Sequence, residues 1–150
     1  MYHVGIVGHE RAKFTPETEA KARALIRKLL VERPDNVLVS GGCHLGGVDI
    51  FAEDAAVEIG VPMEIHRPEH LSWRKEQPGG FWARNMKIAQ ASDIVHVIVV
   101  KQYPESFKGQ RFPLCYHCKG ERPPHVKSGG CWTGIKAQTL GKPAVWHIIE

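Results

Sequence analysis

Residues 37–49, Val-Leu-Val-Ser-Gly-Gly-Cys-His-Leu-Gly-Gly-Val-Asp, constrain this chain more than any other stretch. An apolar β-branched run, Val37 to Val39, stops at Ser40, Gly41 and Gly42. A short polar turn leads to Gly46 and Gly47, and a helical pattern then opens at Asp49 with Ile50, Phe51, Ala52, Ala55, Ala56 and Ile59. Strand, glycine loop and helix in that order present backbone N–H groups to an anion: glycines let the main chain come close, and the helix start adds partial positive charge. Glycines also make tight strand-to-helix turns with no ligand at all. Two glycine pairs exceed what a turn requires, so the ligand reading outweighs the turn. The pattern is neither the dinucleotide fingerprint nor the Walker loop.

The flanking segments set the frame for that loop. Tyr2–Val7 is apolar and β-branched, and ends at Gly8-His9-Glu10-Arg11. Thr15-Pro16-Glu17 supplies an N-cap, a proline at the first helical position and an acid in the first turn, and Ala22, Leu25, Ile26 and Leu29 share one helical face. Arg33-Pro34-Asp35 ends that helix, and Gly60-Val61-Pro62 ends the helix after the glycine loop. A third strand is expected at Met63–His66, a polar segment at Arg67–Gly80, a third helix through Phe81, Asn85, Ile88 and Ala89, and a fourth strand at Ile94–Val100. Residues 101–131 hold four of the ten prolines and three of the four cysteines, and look like an insertion. Trp132–Leu140 then reads as helix and Ala144–Ile149 as a fifth strand.

Strict alternation of strand and helix, with near-continuous apolar strands, predicts an α/β fold: a mostly parallel five-stranded sheet with helices on both faces. Helix-to-strand links are short, whereas strand-to-helix links are long and rich in Gly, His, Arg and Trp. Ligands of such sheets bind beyond the carboxyl ends of the strands, where the long links lie. Four segments should converge there: Gly8–Arg11, Ser40–Asp49, Trp73–Asn85 and Ser128–Thr133. The last repeats the glycine logic, since Ser128-Gly129-Gly130 precedes a helix whose first turn holds Thr133. Two glycine loops feeding two helix starts suit a phosphate or pyrophosphate. Asp49 could bond a ribose hydroxyl, although capping its own helix serves equally well. Arg84 could clamp phosphate, or be an exposed helix arginine. His9, His44 and Arg11 lie in the right loops, and at most one of Trp73, Trp82 and Trp132 is expected to stack on a base.

Composition narrows the partner. Twenty basic against sixteen acidic residues in a chain of 150 give +4, a mild excess that suits a small anion and is too weak to argue nucleic acid without a clustered face. No apolar run approaches the roughly 20 residues that span a bilayer. The chain starts on strand-like residues, so no signal peptide is expected and a cytoplasmic protein is the default. Of four cysteines, three crowd into residues 115–131. Cys115 and Cys118 form a C-x-x-C knuckle with His125 and Cys131 downstream, a donor set that satisfies tetrahedral zinc, with His117 as a rival fourth ligand. A redox pair at Cys115 and Cys118 would leave Cys131 and two nearby histidines without a role. A structural zinc would also order an insertion with little apolar content, and its ligand Cys131 lies inside the second glycine loop. Cys43 stands apart as a ligand-loop thiol.

Val39-Ser40-Gly41-Gly42 with Gly46-Gly47-Val48-Asp49, then Ala83-Arg84-Asn85, Ala91-Ser92-Asp93 and Ser128-Gly129-Gly130, resembles the SLOG superfamily. That group spans the lysine-decarboxylase-like phosphoribohydrolases, DNA-processing protein A, molybdenum cofactor carriers and YspA/YpsA-related proteins. The resemblance covers nearly the whole chain outside 101–127. It implies a Rossmann-like three-layer sandwich as a single domain, 1–150, that holds a nucleotide or nucleotide-derived (ADP-ribose-like) ligand and forms homo-oligomers. The ligand-binding set it points to is Gly8, His9, Arg11, Ser40, Gly41, Gly42, Gly46, Gly47, Asp49, Arg84, Asn85, Ser128, Gly129, Gly130 and Thr133, with a loop-borne zinc on Cys115, Cys118, His125 and Cys131. Phosphoribohydrolases carry Pro-Gly-Gly-x-Gly-Thr-x-x-Glu, with the glutamate used in cleavage. Here that position is Lys136, which cannot readily serve as the carboxylate. Glu10 and Arg84 remain candidate catalytic groups. Ligand binding is therefore the leading expectation. An N-glycosidic hydrolase or transferase acting on nucleoside monophosphates, and a molybdenum cofactor carrier, are the alternatives.

Overall fold

The computed structural model describes all residues, 1–150. In chain order the elements are β1 (Tyr2–Gly8), one 3-10 turn (Arg11–Lys13), α1 (Pro16–Val31), β2 (Asn36–Ser40), α2 (Val48–Ile59), β3 (Met63–Ile65), α3 (Phe81–Ala91), β4 (Ile94–Val100), α4 (Gly129–Thr139) and β5 (Ala144–Ile149). The five strands form one sheet in the order β3-β2-β1-β4-β5, and every pairing is parallel. Strand order reverses between β1 and β4, the switch point at which such sheets open a crevice. Both neighbours of β1 are held in register there, Gly5 against Val39 and Gly8 against Ile98.

Local chemistry explains the element ends. Thr15 Oγ1 accepts the Thr18 N–H at 3.1 Å while Thr18 Oγ1 accepts the Thr15 N–H at 2.8 Å, and Pro16 opens α1. Gly60 closes α2 in the left-handed region at φ 87°, a conformation that favours glycine. The expectation for α4 is corrected. It starts at Gly129 rather than Trp132, because Ser128 Oγ accepts the Gly130 N–H at 3.1 Å and so caps a helix that includes both glycines. The insertion therefore runs from 101 to 128.

Alternation along the strands builds two cores. Val4, Ile6, Leu38 and Ile98 face α1 and α2, packing on Ile26, Leu30, Phe51 and Ala52. Val7, Val39, Val95, Val97 and Val99 face the other way, onto Ile88 and Ala89 of α3 and Ala137 of α4. Three thiols of the insertion and α4, those of Cys115, Cys118 and Cys131, join this second core. A Cβ at Gly134 would lie 3.0 Å from the Trp146 ring, so α4 sits on β5 only because that residue is glycine. No helix is long and apolar enough to cross a membrane.

On the α1 side of the sheet, His96 of β4 and His147 of β5 are hydrogen-bonded ring to ring, Nδ1 to Nε2, at 3.0 Å. One ring donates and the other accepts, and burial of both disfavours a charge on either. Burial and the His147 ring push His96 down to about 4. A histidine whose folded value lies below its unfolded value of about 6.5 contributes stability above that pH and loses it as pH falls towards 4. His96→Val should therefore gain on the wild type as pH drops from 6.5 to 4, by up to roughly 3 kcal/mol. Chemical denaturation across that range measures it; a gap that does not change with pH would contradict the assignment.

Candidate ligand cavity and metal centre

His9, the first residue after β1, is 2% exposed and uses both ring nitrogens. Its Nδ1 accepts the Val100 N–H at 2.9 Å, which leaves Nε2–H to donate to the carbonyls of Val126 at 3.2 Å and Lys127 at 2.9 Å. Burial, with Lys13 nearby, drives it down to about 3, so the ring is neutral. His9 thus ties the ends of β1 and β4 to the last residues of the insertion. Its backbone holds the start of α2, whose Val48 N–H donates to the His9 carbonyl at 3.0 Å. A Cβ at Gly47 (φ 82°) would collide with that carbonyl.

These contacts relocate the first glycine loop. Gly46 and Gly47 pack on Arg11 and the His9–Glu10 backbone, and Gly42 packs on Arg67. Gly41 lies behind the Arg84 guanidinium, and Ser40 Oγ donates to the buried Glu53 at 2.7 Å. Arg84 is 8% exposed and is no surface arginine. Its Nη1 donates to the Gly41 carbonyl at 2.7 Å and its Nε to Asn85 Oδ1 at 2.7 Å. Asp49, in the first turn of α2, accepts the Cys43 N–H at 3.1 Å and lies 3.9 Å from Arg84 Nη1. Burial pushes its carboxyl up to about 6 against the pull of Arg84.

The second glycine loop is packed differently. A Cβ at Gly130 would lie 2.8 Å from the Gly8 nitrogen, so the start of α4 rests directly on the end of β1. Trp73 covers the same helix start, its ring 3.3 Å from where a Gly129 Cβ would be. Trp73 stacks on Phe81 with centroids 5.0 Å apart, and Phe81 on His44 at 6.2 Å.

Between these parts, at the sheet's switch point, lies a cavity of about 410 Å³. Ten of the expected residues line it: Gly8, His9, Glu10, Asp49, Arg84, Asn85, Ser128, Gly129, Gly130 and Thr133. Arg11, Ser40, Gly41, Gly42, Gly46 and Gly47 do not, because they face Glu19, Glu53, Arg84, Arg67 and the His9–Arg11 segment instead. The β2–α2 loop still reaches the cavity, through Cys43, His44, Leu45 and Asp49. Trp82 and Trp132 pack on each other with tilted rings, centroids 5.8 Å apart, and Trp73 alone of the three tryptophans lines the cavity. Sequence reasoning missed Lys13 and Lys127. Lys13 follows the first loop by two residues and Lys127 precedes Ser128, positions that carry no motif. Lys13 Nζ reaches the Lys127 carbonyl at 3.4 Å and Glu10 at 3.8 Å, and burial lowers its pKa.

The thiols that join the second core form a buried group with His125. The ligand atoms of Cys115, Cys118, His125 and Cys131 all lie within 4.8 Å of one another. His125 Nδ1 donates to the Pro123 carbonyl at 2.8 Å, which aims the Nε2 lone pair at Cys118 Sγ (3.5 Å) and Cys131 Sγ (3.4 Å). A tetrahedral site with usual zinc–sulfur and zinc–nitrogen bonds has an S···N edge of about 3.5 Å. Trp146 Nε1–H donates to Cys131 Sγ at 3.3 Å, a contact that favours a thiolate there. Three buried sulfurs and one oriented imidazole could hold a metal ion. His117 lies outside the group and packs on the Tyr116 ring at 4.5 Å.

One consequence concerns Asp49. Its folded value, about 6, lies above the unfolded value of about 3.9, so its ionisation costs stability as pH rises through that interval. Asp49→Asn should therefore stabilise the protein more at pH 8 than at pH 4, by about 2–3 kcal/mol. Equal effects at the two pH values, measured by denaturant titration, would refute a strained buried carboxylate.

No family model matches the chain, and no curated protein matches it either. Solved structures do. The structural-genomics protein TM1055 is 18% identical with a TM-score of 0.60, over 96% of this chain and 72% of its own. The molybdenum cofactor carrier protein MCP from Chlamydomonas reinhardtii is 19% identical with a TM-score of 0.59, over 97% of this chain and 75% of its own. DNA processing protein A from Streptococcus pneumoniae gives a TM-score of 0.45 at 13% identity, over 95% of this chain and 58% of its own. Likeness at these identities is likeness of fold: the chain shares the Rossmann-like α/β fold of TM1055 and the carrier protein.

Proposed function

We propose that the cavity binds a nucleotide or a nucleotide-derived, ADP-ribose-like anion, and that the Cys3His group holds a structural zinc. One observation carries the ligand reading. A single cavity has a cationic wall, made by Lys13, Lys127 and the start of α4, and an aromatic wall, made by Trp73, Phe81 and His44. Phosphate suits the first wall, where the Gly129 N–H heads a helix dipole. A base suits the second, since stacked rings offer a flat apolar face. Asp49 and Asn85 supply polar groups between them for a ribose.

Turnover has weaker support. Lys136, at the position of the phosphoribohydrolase glutamate, does not line the cavity. The carboxylates of Glu10 and Asp49 do, and either is a candidate acid if an N-glycosidic bond is broken here. A molybdenum cofactor carrier is the second reading, favoured by the fold likeness to a protein of that name. A pterin phosphate would use the same two walls, and pterin analysis of the freshly purified protein separates it from a nucleotide.

Calorimetric titration with AMP, ADP and ADP-ribose should give saturable binding for at least one of them. Lys127→Glu and Trp73→Ala should each weaken that binding at least about tenfold, the loss expected of a charge-assisted contact or a stacked base. Lys136→Ala should leave it unchanged. Silence with all three ligands would remove the nucleotide reading. Elemental analysis should find about one zinc per chain, retained through gel filtration. Protein expressed with ample zinc and purified with only traces of it would remove the zinc reading.

A further inference from the structure

The metal group and the cavity share one short piece of backbone. His125 and Cys131 are metal-ligand candidates, and Lys127, Ser128, Gly129 and Gly130, which lie between them, line the cavity. Their ligand atoms approach to 3.4 Å, so residues 126–130 form a closed loop with its neck at the thiol group and its tip at the cavity. Besides the ligand atoms, the neck is held by His125 Nδ1 on the Pro123 carbonyl and the Cys131 N–H on the Ser128 carbonyl. The Cys115 N–H donates to the His125 carbonyl at 3.1 Å, and Trp146 donates to Cys131 Sγ. The sulfurs themselves are weak donors and acceptors, and a central cation is what draws three of them and an imidazole together. Further along, the loop is held by the Val126 N–H on the Val100 carbonyl at 3.2 Å and by His9 on the Val126 and Lys127 carbonyls. The Ser128 cap and the contact with Gly8 seat Gly129 and Gly130 at the start of α4, and Cys131, in the first turn of that helix, ties them to the thiol group.

We propose that metal at the Cys3His group sets the geometry of the 126–130 loop, so that metal and anionic ligand bind with positive coupling and zinc occupancy controls ligand affinity. The coupling rests on the ligand and zinc readings above. Coupling of this kind is reciprocal: if zinc tightens the ligand, the ligand must tighten zinc by the same factor. The conserved quantity is the pose of the Lys127 side chain and of the Gly129 amide. A closed neck pre-pays the ordering of that pose, and an open neck leaves the ligand to impose it. Cys118 is the useful control position. It belongs to the knuckle and not to the loop, so a change there alters metal affinity while both end residues of the loop, His125 and Cys131, stay unchanged.

Two readouts test the proposal, one of which needs no ligand. Amide hydrogen exchange is measured on zinc-loaded protein and on protein stripped with a chelator, with the β1, β4 and β5 amides reporting whether the sheet persists. Removal of zinc should speed exchange at residues 126–131 at least tenfold while the sheet amides stay protected. Unchanged exchange at 126–131 would overturn the link between metal and loop. ADP-ribose is then titrated into Cys118→Ser protein at limiting and at saturating zinc. Its affinity should be at least tenfold weaker at limiting zinc and should return to the wild-type value at saturation. The same affinity at both zinc levels would overturn the coupling. Should stripping unfold the sheet, the limiting-zinc titration is run at the lowest zinc level at which the β1, β4 and β5 amides stay protected, so that both arms compare folded chain. If neither AMP, ADP nor ADP-ribose binds wild-type protein at any zinc level, the ligand reading fails and the coupling falls with it. The exchange result still decides separately whether the metal orders the loop.

Discussion

Everything at the functional edge of this protein depends on one buried imidazole. His9 receives a hydrogen bond from the end of β4, gives two to the tail of the insertion, and offers its own carbonyl to the start of α2. Three segments that are far apart in sequence are thereby set around the end of β1. Without the ring, the buried Val100 N–H and Val126 carbonyl would lose these partners, at a cost of about 1–3 kcal/mol apiece. The ring does this only while neutral, with one nitrogen accepting and the other donating, and its burial keeps it neutral. A histidine that looks like a ligand contact in the sequence is therefore a strut, and its presence in the cavity wall follows from what it holds together.

Arg84 makes the same point on the opposite wall. Its guanidinium covers Gly41 and bonds the Gly41 carbonyl, so the first glycine pair supplies room for an arginine. Whatever Arg84 does for a ligand, it does from a position fixed by Gly41, Asn85 and Asp49. The cavity is thus largely pre-formed, with its aromatic row stacked and its α4 wall capped by Ser128. Pre-formation lowers the ordering cost that a small ligand must meet.

The sheet was legible because parallel strands buried on both faces leave continuous apolar runs. Ile94–Val100 and Ala144–Ile149 were readable to the residue, and the Thr15-Pro16 start of α1 follows from side-chain chemistry alone. The start of α4 was not legible. Gly129 and Gly130 are poor helix formers, and they are helical because Ser128 caps the turn and Gly8 admits no side chain beneath it. The same reason hides the fate of the first glycine loop: sequence shows that a backbone can come close to something, and only the fold shows that the something is Arg84 and the His9–Glu10 backbone. Lys13 and Lys127 left no motif because their importance comes from where loops 114 residues apart meet. The donor set of the metal group was readable from spacing. The choice of His125 over His117 needed the fold, where the Pro123 carbonyl orients one ring and Tyr116 packs on the other.

The most direct measurement is a crystal structure of zinc-loaded protein grown with ADP-ribose, with anomalous data collected at the zinc edge. Phosphate oxygens within hydrogen-bond reach of the Gly129 N–H and the Lys127 ammonium, a ring on the face of Trp73, and an anomalous peak among Cys115, Cys118, His125 and Cys131 are the expected result. Ligand density on another face of the molecule, with this cavity holding only solvent, would contradict it.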